Sequence, residues 1–399
     1  MTNALFLAFA VLAALPQPTG PYAVGRVTVE WRDRSRIEPL SDDRGGRRLI
    51  VDIWYPADAS QGELAPYLDT AAFERAIGAA GLRRQLEGAY DAVKGGRVQT
   101  HAVAGAPLSR AVARAPVVIF SPGGGLVREV YAAQLEHLAS HGFVVAAITH
   151  PYDGIVAVYP DGQWITYDAK RWPQNPSFLG EWNLNQLEWH ARDIRFVLDA
   201  LQNVNRTTPS APPFAGHLDL ERVGAFGHSF GGVAAAKACQ TDRRFTACLN
   251  QDGLAGKQPF DRDGGGWGAN QRFMLIQRAS DPGPPPEKDL ASMKITRERA
   301  VELVSQLDRD QETAMRLVGA SYRVVLDRTK TTHADFTDLP LLAARTDDEA
   351  MAREQVATVV RELTLAFFDW SLRGKRPAML SKRPAVPLID AIDRFGAAP

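Results

Sequence analysis

Residues 222–232 read Arg-Val-Gly-Ala-Phe-Gly-His-Ser-Phe-Gly-Gly, so that Gly227-His228-Ser229-Phe230-Gly231 joins an alternating stretch (Val223, Ala225) to an Ala-rich one (Val233 to Ala238). A Gly-x-Ser-x-Gly between a strand and a helix constrains the fold more than any other feature of this chain. Its serine sits on a strained turn, where strand and helix approach too closely for a Cβ on either flank. The glycines make that approach feasible, and the turn pushes Ser229 Oγ out where a base and a second reactant can reach it.

The flanking sequence supplies the sheet that such a turn needs. Pro21 to Trp31 and Arg48 to Tyr55 alternate apolar and polar residues around a Gly-rich turn at 42–46, which predicts an antiparallel pair. Residues 62–110 then break the pattern: Phe73 and Ile77, followed by Leu82, Leu86, Tyr90 and Val93, recur at helical spacing and predict two short helices set over the sheet or at its edge. Ala115 to Ser121 and Phe143 to Thr149 are continuous apolar runs, the pattern of strands buried on both faces, with a helix between them that ends at His141-Gly142. A loop at 151–176 precedes a helix at Gln186 to Leu201. Beyond the Ser229 turn come strands at Phe245 to Gln251, Arg272 to Arg278 and Ser321 to Leu326, a helical stretch from Glu287 to Gly319, and a last helix from Ala352 to Leu372.

Eight strands with helices in this order give the α/β-hydrolase arrangement: an α/β fold with a mostly parallel eight-stranded sheet flanked by helices. We expect one such domain over 19–399, with cap-like insertions at about 62–110 and 255–318. Lys and Arg total 46 and Asp and Glu total 46, so the formal net charge is zero, and no basic run offers a footprint for nucleic acid. Ala4 to Leu15 is an apolar run too short to span a bilayer and suited to a secretory signal over 1–18, which places the protein in the periplasm or outside the cell. Cys239 and Cys248 are expected to be buried free thiols, with a disulfide open to them if the protein is exported. Asp261 to Gly268 only superficially resembles a calcium loop, because Arg272 stands where the bidentate Glu would be. No metal ion or cofactor is expected.

A serine hydroxyl is a poor nucleophile until a base takes its proton, and a carboxylate must orient that base. In this fold the histidine follows the final strand, and of eight histidines only His333 lies beyond Ser229. His228 should point away from Oγ and pack. His150 ends a strand beside Asp153 and is a candidate for lining the pocket, whereas His101, His137, His141, His190 and His217 read as solvated or core. Asp252 and Asp281 both follow strands, and topology alone favours Asp281 as the acid. The oxyanion donors are expected at the N–H of Phe230 and, within the Gly123 to Gly125 run, at Gly124.

These residues resemble the platelet-activating factor acetylhydrolases, of the plasma lipoprotein-associated and intracellular type II kind, with their bacterial relatives. Gly20-Pro21-Tyr22-Ala23-Val24-Gly25, Trp54-Tyr55-Pro56, Leu138 to Ala147, Gly227 to Gly232, and His333 with Phe336 and Asp338 are similar to segments spread over that family. The resemblance implies Asp252 rather than Asp281 as the acid. It departs at Pro122-Gly123-Gly124-Gly125, where the family usually has His-Gly-Leu-Gly, and it is weak over the segments 62–110 and 255–318.

What the resemblance implies is a serine ester hydrolase that cleaves short acyl esters through an acyl-enzyme, with a 2-acetyl ether phospholipid as the substrate to test first. A lipid substrate would bring transient contact with a lipid surface. A general carboxylesterase or polyester hydrolase is the alternative, with Trp172, Trp182 and Trp267 lining its groove. A non-catalytic binding module on the same fold is the remote one.

Overall fold

Strands that are apolar on both faces must be covered on both faces, and this requirement organises the molecule. The computed structural model describes residues 15–38, 40–58, 62–79, 98–167, 181–206, 211–253, 267–279, 290, 295–318, 320–376, 378–380 and 386–396. The chain opens with β1 (Ala23–Asp33) and β2 (Arg47–Ala57), followed by α1 (Thr70–Ala79), β3 (Ala102–Ala104) and β4 (Ala115–Ser121). It continues through α2 (Ala132–Ser140), β5 (Val144–Thr149), a hairpin of β6 (Val156–Val158) and β7 (Trp164–Thr166), and α3 (Glu181–Val204). Then come β8 (Leu218–His228), α4 (Phe230–Thr241), β9 (Phe245–Gln251), β10 (Arg272–Arg278), α5 (Arg297–Leu317), β11 (Ala320–Leu326), α6 (Asp347–Arg373) and β12 (Ile389–Gly396).

The main sheet runs β12-β11-β10-β9-β8-β4-β5-β2-β1-β3. From β5 to β11 it is parallel, whereas β2 lies antiparallel to both β1 and β5. Leaving out the two edge strands β3 and β12, the eight remaining strands have the α/β-hydrolase order. The edge strands were not expected: β3 has three residues, and β12 is half exposed with only weak alternation.

Alternation along the strands divides the core into two layers. Val117, Ile119, Val223, Ala225 and Leu275 face α3 and α4, which contribute Ile194, Val197, Leu198, Ala235 and Cys239. Val118, Phe120, Phe226, Leu249, Ile276 and Val324 face α2 and α6, which contribute Leu135, Leu138, Val360, Leu363, Phe367 and Phe368. α6 is delimited by a Thr346 N-cap that accepts from the Glu349 amide, three acidic residues in its first turn, and Gly374 in the left-handed region at its C-terminus.

One sequence expectation changes here, and others fall partly outside the described residues. Cys239 and Cys248 are not free thiols: α4 lies against β9 with Cα atoms 6.4 Å apart, and the two form a disulfide. Within 62–110, α1 carries Phe73 and Ile77 and packs against Val127 and Val156, while the second expected helix falls outside the described residues. Within 255–318, the described part is sheet strand β10 and α5, and α5 packs on β11 and β12. Residues 1–14 of the expected signal lie outside the described residues; Leu15 packs with Tyr67, Ala132 and Leu342, and the Gln17 carbonyl accepts from Arg361.

The disulfide closes a loop of 9 residues in sequence separation, for which chain entropy gives about 2.5 kcal/mol. Replacing both cysteines by alanine should lower unfolding free energy by roughly that amount, measured by denaturant titration. Reductant should weaken the parent protein similarly and leave the double variant unmoved; free thiols in the denatured, unreduced parent would contradict the pairing.

Candidate active site

The parallel strands β8, β9, β10 and β11 are consecutive neighbours, so the residues that follow them emerge at one edge of the sheet. Ser229 follows β8 at φ 54 and ψ −126, a conformation that costs a non-glycine residue energy and is held by its surroundings. Those surroundings are backbone: the Ser229 amide donates to the Gln251 carbonyl (2.8 Å), and the Ser229 carbonyl accepts from Gly232 (3.0 Å). A Cβ on Gly227 would lie 2.4 Å from the Gly231 backbone and one on Gly231 would lie 2.2 Å from the Ser121 and Pro122 carbonyl oxygens. The sequence expectation that these glycines exist for close approach holds in detail.

Asp252 follows β9, also in the left-handed region at φ 53. His333 begins a single 3-10 turn after β11, and its Nδ1 donates to Asp252 Oδ2 (2.6 Å). Asp252 also takes the Arg278 amide on Oδ1 (3.0 Å) and Arg278 Nε on Oδ2 (2.9 Å). Burial alone would raise the Asp252 carboxyl, but the bond from His333 and the two from Arg278 outweigh it and hold the group below the ordinary range. The structure thus brings Asp252 to His333, whereas Asp281 lies outside the described residues. Ser229 Oγ and His333 are not hydrogen-bonded to each other, a looseness common in sites without substrate.

His228 does turn away from the serine. Its Nδ1 accepts from Tyr131 Oη (2.9 Å), and its ring stacks on Phe336 and lies 4.5 Å from the His333 ring. Burial, then the neighbouring His333, pushes the imidazole down to about 3, so it stays neutral beside the base. Tyr131 Oη in turn accepts the Gly123 amide (2.9 Å), and the Gly125 amide faces Asp153. Of the three glycine amides, only that of Gly124 is left without a partner among the described residues. A Cβ on Gly124 would stand 3.7 Å from Phe230 Cβ, and Phe230 opens α4, where the first amides have no partner within the helix. Gly124 therefore lies beside Phe230, which stands at the positive end of a helix.

Asp338 explains the rest of the segment after His333. Its carboxyl group caps α2 through the Ala133 amide (3.3 Å) and accepts from Tyr67 Oη (3.1 Å), which pins the histidine turn to α2 and to the segment before α1. Tyr131 and Arg278 are the residues that sequence reasoning did not single out for a role. No local pattern marks either one: Tyr131 reaches Gly123 and His228 from the turn before α2, and Arg278 reaches Asp252 across the pairing of β9 with β10.

His150 belongs to a buried hydrogen-bonded network. It is 1% exposed, donates from Nδ1 to Asp193 (2.8 Å) and accepts from Ser121 Oγ (2.9 Å), while Arg36 and Arg47 bind the same Asp193. Burial and then His150 keep the stacked His190 far from protonation, and burial raises Asp153 beside it to about 7. This second Ser-His-Asp arrangement is sealed from solvent and serves as structure. His101 pairs with Glu136 and His137 with Glu362. His141 bonds Thr19 and His217 bonds the Ala113 carbonyl, so none of these four is without a partner. Trp267 packs on Phe273 within the core layer facing α3 and α4 rather than in a groove; Trp172 and the side chain of Trp182 fall outside the described residues.

The family described as platelet-activating factor acetylhydrolase, isoform II, matches residues 7–255, more than half of the 399-residue chain. The chain belongs to that family. A probable 1-alkyl-2-acetylglycerophosphocholine esterase of Arthroderma benhamiae is 28% identical over 60% of this chain and 58% of its own. The platelet-activating factor acetylhydrolase of Cavia porcellus is 25% identical over 60% and 55%. The chain thus spans little more than half the length of these curated relatives. Among solved structures, a ferulic acid esterase from Streptomyces cinnamoneus superposes with a TM-score of 0.69 at 27% identity, over 94% of this chain and 97% of that one. The α/β-hydrolase fold is shared by the family member and this esterase.

Thermal unfolding should separate the two kinds of glycine. Gly231→Ala drives a Cβ into fixed backbone and should cost about 2 kcal/mol or more, whereas Gly124→Ala meets only ordinary contact and should stay within about 0.5 kcal/mol. Equal losses would show that the turn is not closed as described.

Proposed function

We propose that this protein is a serine ester hydrolase of short acyl esters, acting through an acyl-enzyme. The observation that carries the reading is His333 Nδ1 on Asp252 Oδ2 at 2.6 Å, at the same sheet edge as a serine held at φ 54. Asp252 fixes the His333 tautomer so that Nε2 accepts the Ser229 proton as Oγ attacks the ester carbonyl. The Phe230 and Gly124 amides then hold the oxyanion, preorganised at a helix N-terminus. His333 returns the proton to the leaving alcohol, and water repeats the sequence on the acyl-enzyme. The same cycle needs no metal ion.

A 2-acetyl ether phospholipid is the proposed substrate, supported by the family and by the names of the relatives. The second reading is a broader carboxylesterase, favoured by the near full-length likeness to a ferulic acid esterase. The apolar run Ala4 to Leu15 supports export, and the disulfide is of the kind that persists in oxidising compartments. Among the described residues no helix is long and apolar enough to cross a membrane.

Hydrolysis of a 2-acetyl ether phospholipid, a 2-palmitoyl phospholipid, p-nitrophenyl acetate and ethyl ferulate decides between these. The proposal expects turnover of the acetyl esters to exceed that of the palmitoyl lipid, and Ser229→Ala to lower kcat by about 10⁴-fold or more. A preference for the ferulate over both acetyl esters would select the second reading. Full activity in Ser229→Ala would end both.

A further inference from the structure

Arg278 ends β10, and it contacts Asp252 twice in different ways. Its amide donates to Oδ1 (3.0 Å), a bond that any residue at this position would keep. Its Nε donates to Oδ2 (2.9 Å), the same oxygen that receives His333 Nδ1 at 2.6 Å. Only the second bond depends on the side chain, and it places a permanent positive charge on the oxygen that orients the base. The Arg278 side chain is 36% exposed and Asp252 only 9%, so the pair sits at the rim with the carboxylate inside.

We propose that Arg278 is a positioning residue for the reaction, which fixes the Asp252 carboxylate with Oδ2 toward His333 and offsets its negative charge, so that His333 stays unprotonated and competent as a base into more acidic solution. The inference rests on the assignment of Ser229, His333 and Asp252 above. Two physical effects follow from one contact. An amide on Oδ1 and a guanidinium on Oδ2 leave the carboxylate no freedom to rotate, which keeps the bond to His333 short. The positive charge also lessens the pull of Asp252 on an imidazolium, so less stabilisation is available to a protonated resting His333.

The sign is opposite to that of a residue that merely stabilises the acid. Removing the cation leaves an uncompensated carboxylate against the imidazole, favours its protonation, and moves the acid limb of activity to higher pH. Among the described residues, the other titratable and charged groups near His333 do not compete for this effect. His228 is neutral across the range, Asp335 is engaged by Arg353 and the Thr332 amide, and Lys330 pairs with Asp327 (3.0 Å).

The experiment is the pH dependence of kcat and kcat/KM for p-nitrophenyl acetate between pH 5 and 9, with Ser229→Ala as the background, in the parent protein, Arg278→Met and Arg278→Lys. Arg278→Met should move the acid limb upward by about half a pH unit to one, with KM for this uncharged ester little changed. Arg278→Lys, which keeps the charge, should recover most of that shift. Superimposable limbs in the parent and Arg278→Met would overturn the inference, as would a fall in kcat with no movement of the limb. A rise in KM confined to esters of anionic alcohols, with the limb unmoved, would also overturn it and assign the guanidinium to substrate. Absence of Ser229-dependent hydrolysis in the parent would instead remove the proposed function itself.

Discussion

The carbonyl oxygens of Ser121 and Pro122 press against Gly227 and Gly231 so closely that a Cβ would lie within 2.5 Å of backbone atoms. Everything that matters at this sheet edge depends on that contact. It lets β4 and β8 run side by side to their ends, holds Ser229 at φ 54, and starts α4 directly behind the serine. It also carries the Gly123 to Gly125 turn alongside Phe230, so that the proposed nucleophile and the proposed anion donors are positioned by one piece of backbone packing. The strain at Ser229 is offset by the amide and carbonyl bonds on either side and by a core that covers both faces of the sheet.

The molecule contains two Ser-His-Asp sets, and they differ in hydrogen bonding as well as in access and electrostatics: Ser121 Oγ bonds His150, whereas His333 bonds Asp252 but not Ser229. In Ser121–His150–Asp193 every member is buried, and two arginines neutralise the aspartate, so the group ties α3 to the first strands. In the arrangement at Asp252 and His333 the histidine is 46% exposed and the aspartate is shared with a single rim arginine. A buried ion network of the first kind contributes little net stability but is costly to break, which suits a structural brace. A histidine that must exchange protons with substrate requires the second.

Much of this was legible in the sequence where the physics is local. β4, β9 and β10 have the limits that the sequence predicts, because their middles are apolar and buried on both faces. His333 could be singled out because the chain offers no other histidine after the serine turn, and the structure brings it to Asp252. What could not be read depends on distance across the fold. The Cys239–Cys248 bond follows from how α4 lies on β9, and Arg278 meets Asp252 only because Gln251 pairs with Ile276 in the sheet. β6 is too short to show a pattern, and β7 and β12 lack the burial that would make one visible.

The claim at the centre is that Ser229, and no other hydroxyl, is activated. Reaction with a fluorophosphonate followed by peptide mass mapping tests this directly, since the reagent requires a nucleophile beside a base and an oxyanion site. The account predicts one adduct per chain, on the peptide containing Ser229, with Ser121 unmodified. An adduct on Ser121, or no adduct on the folded protein, would contradict it.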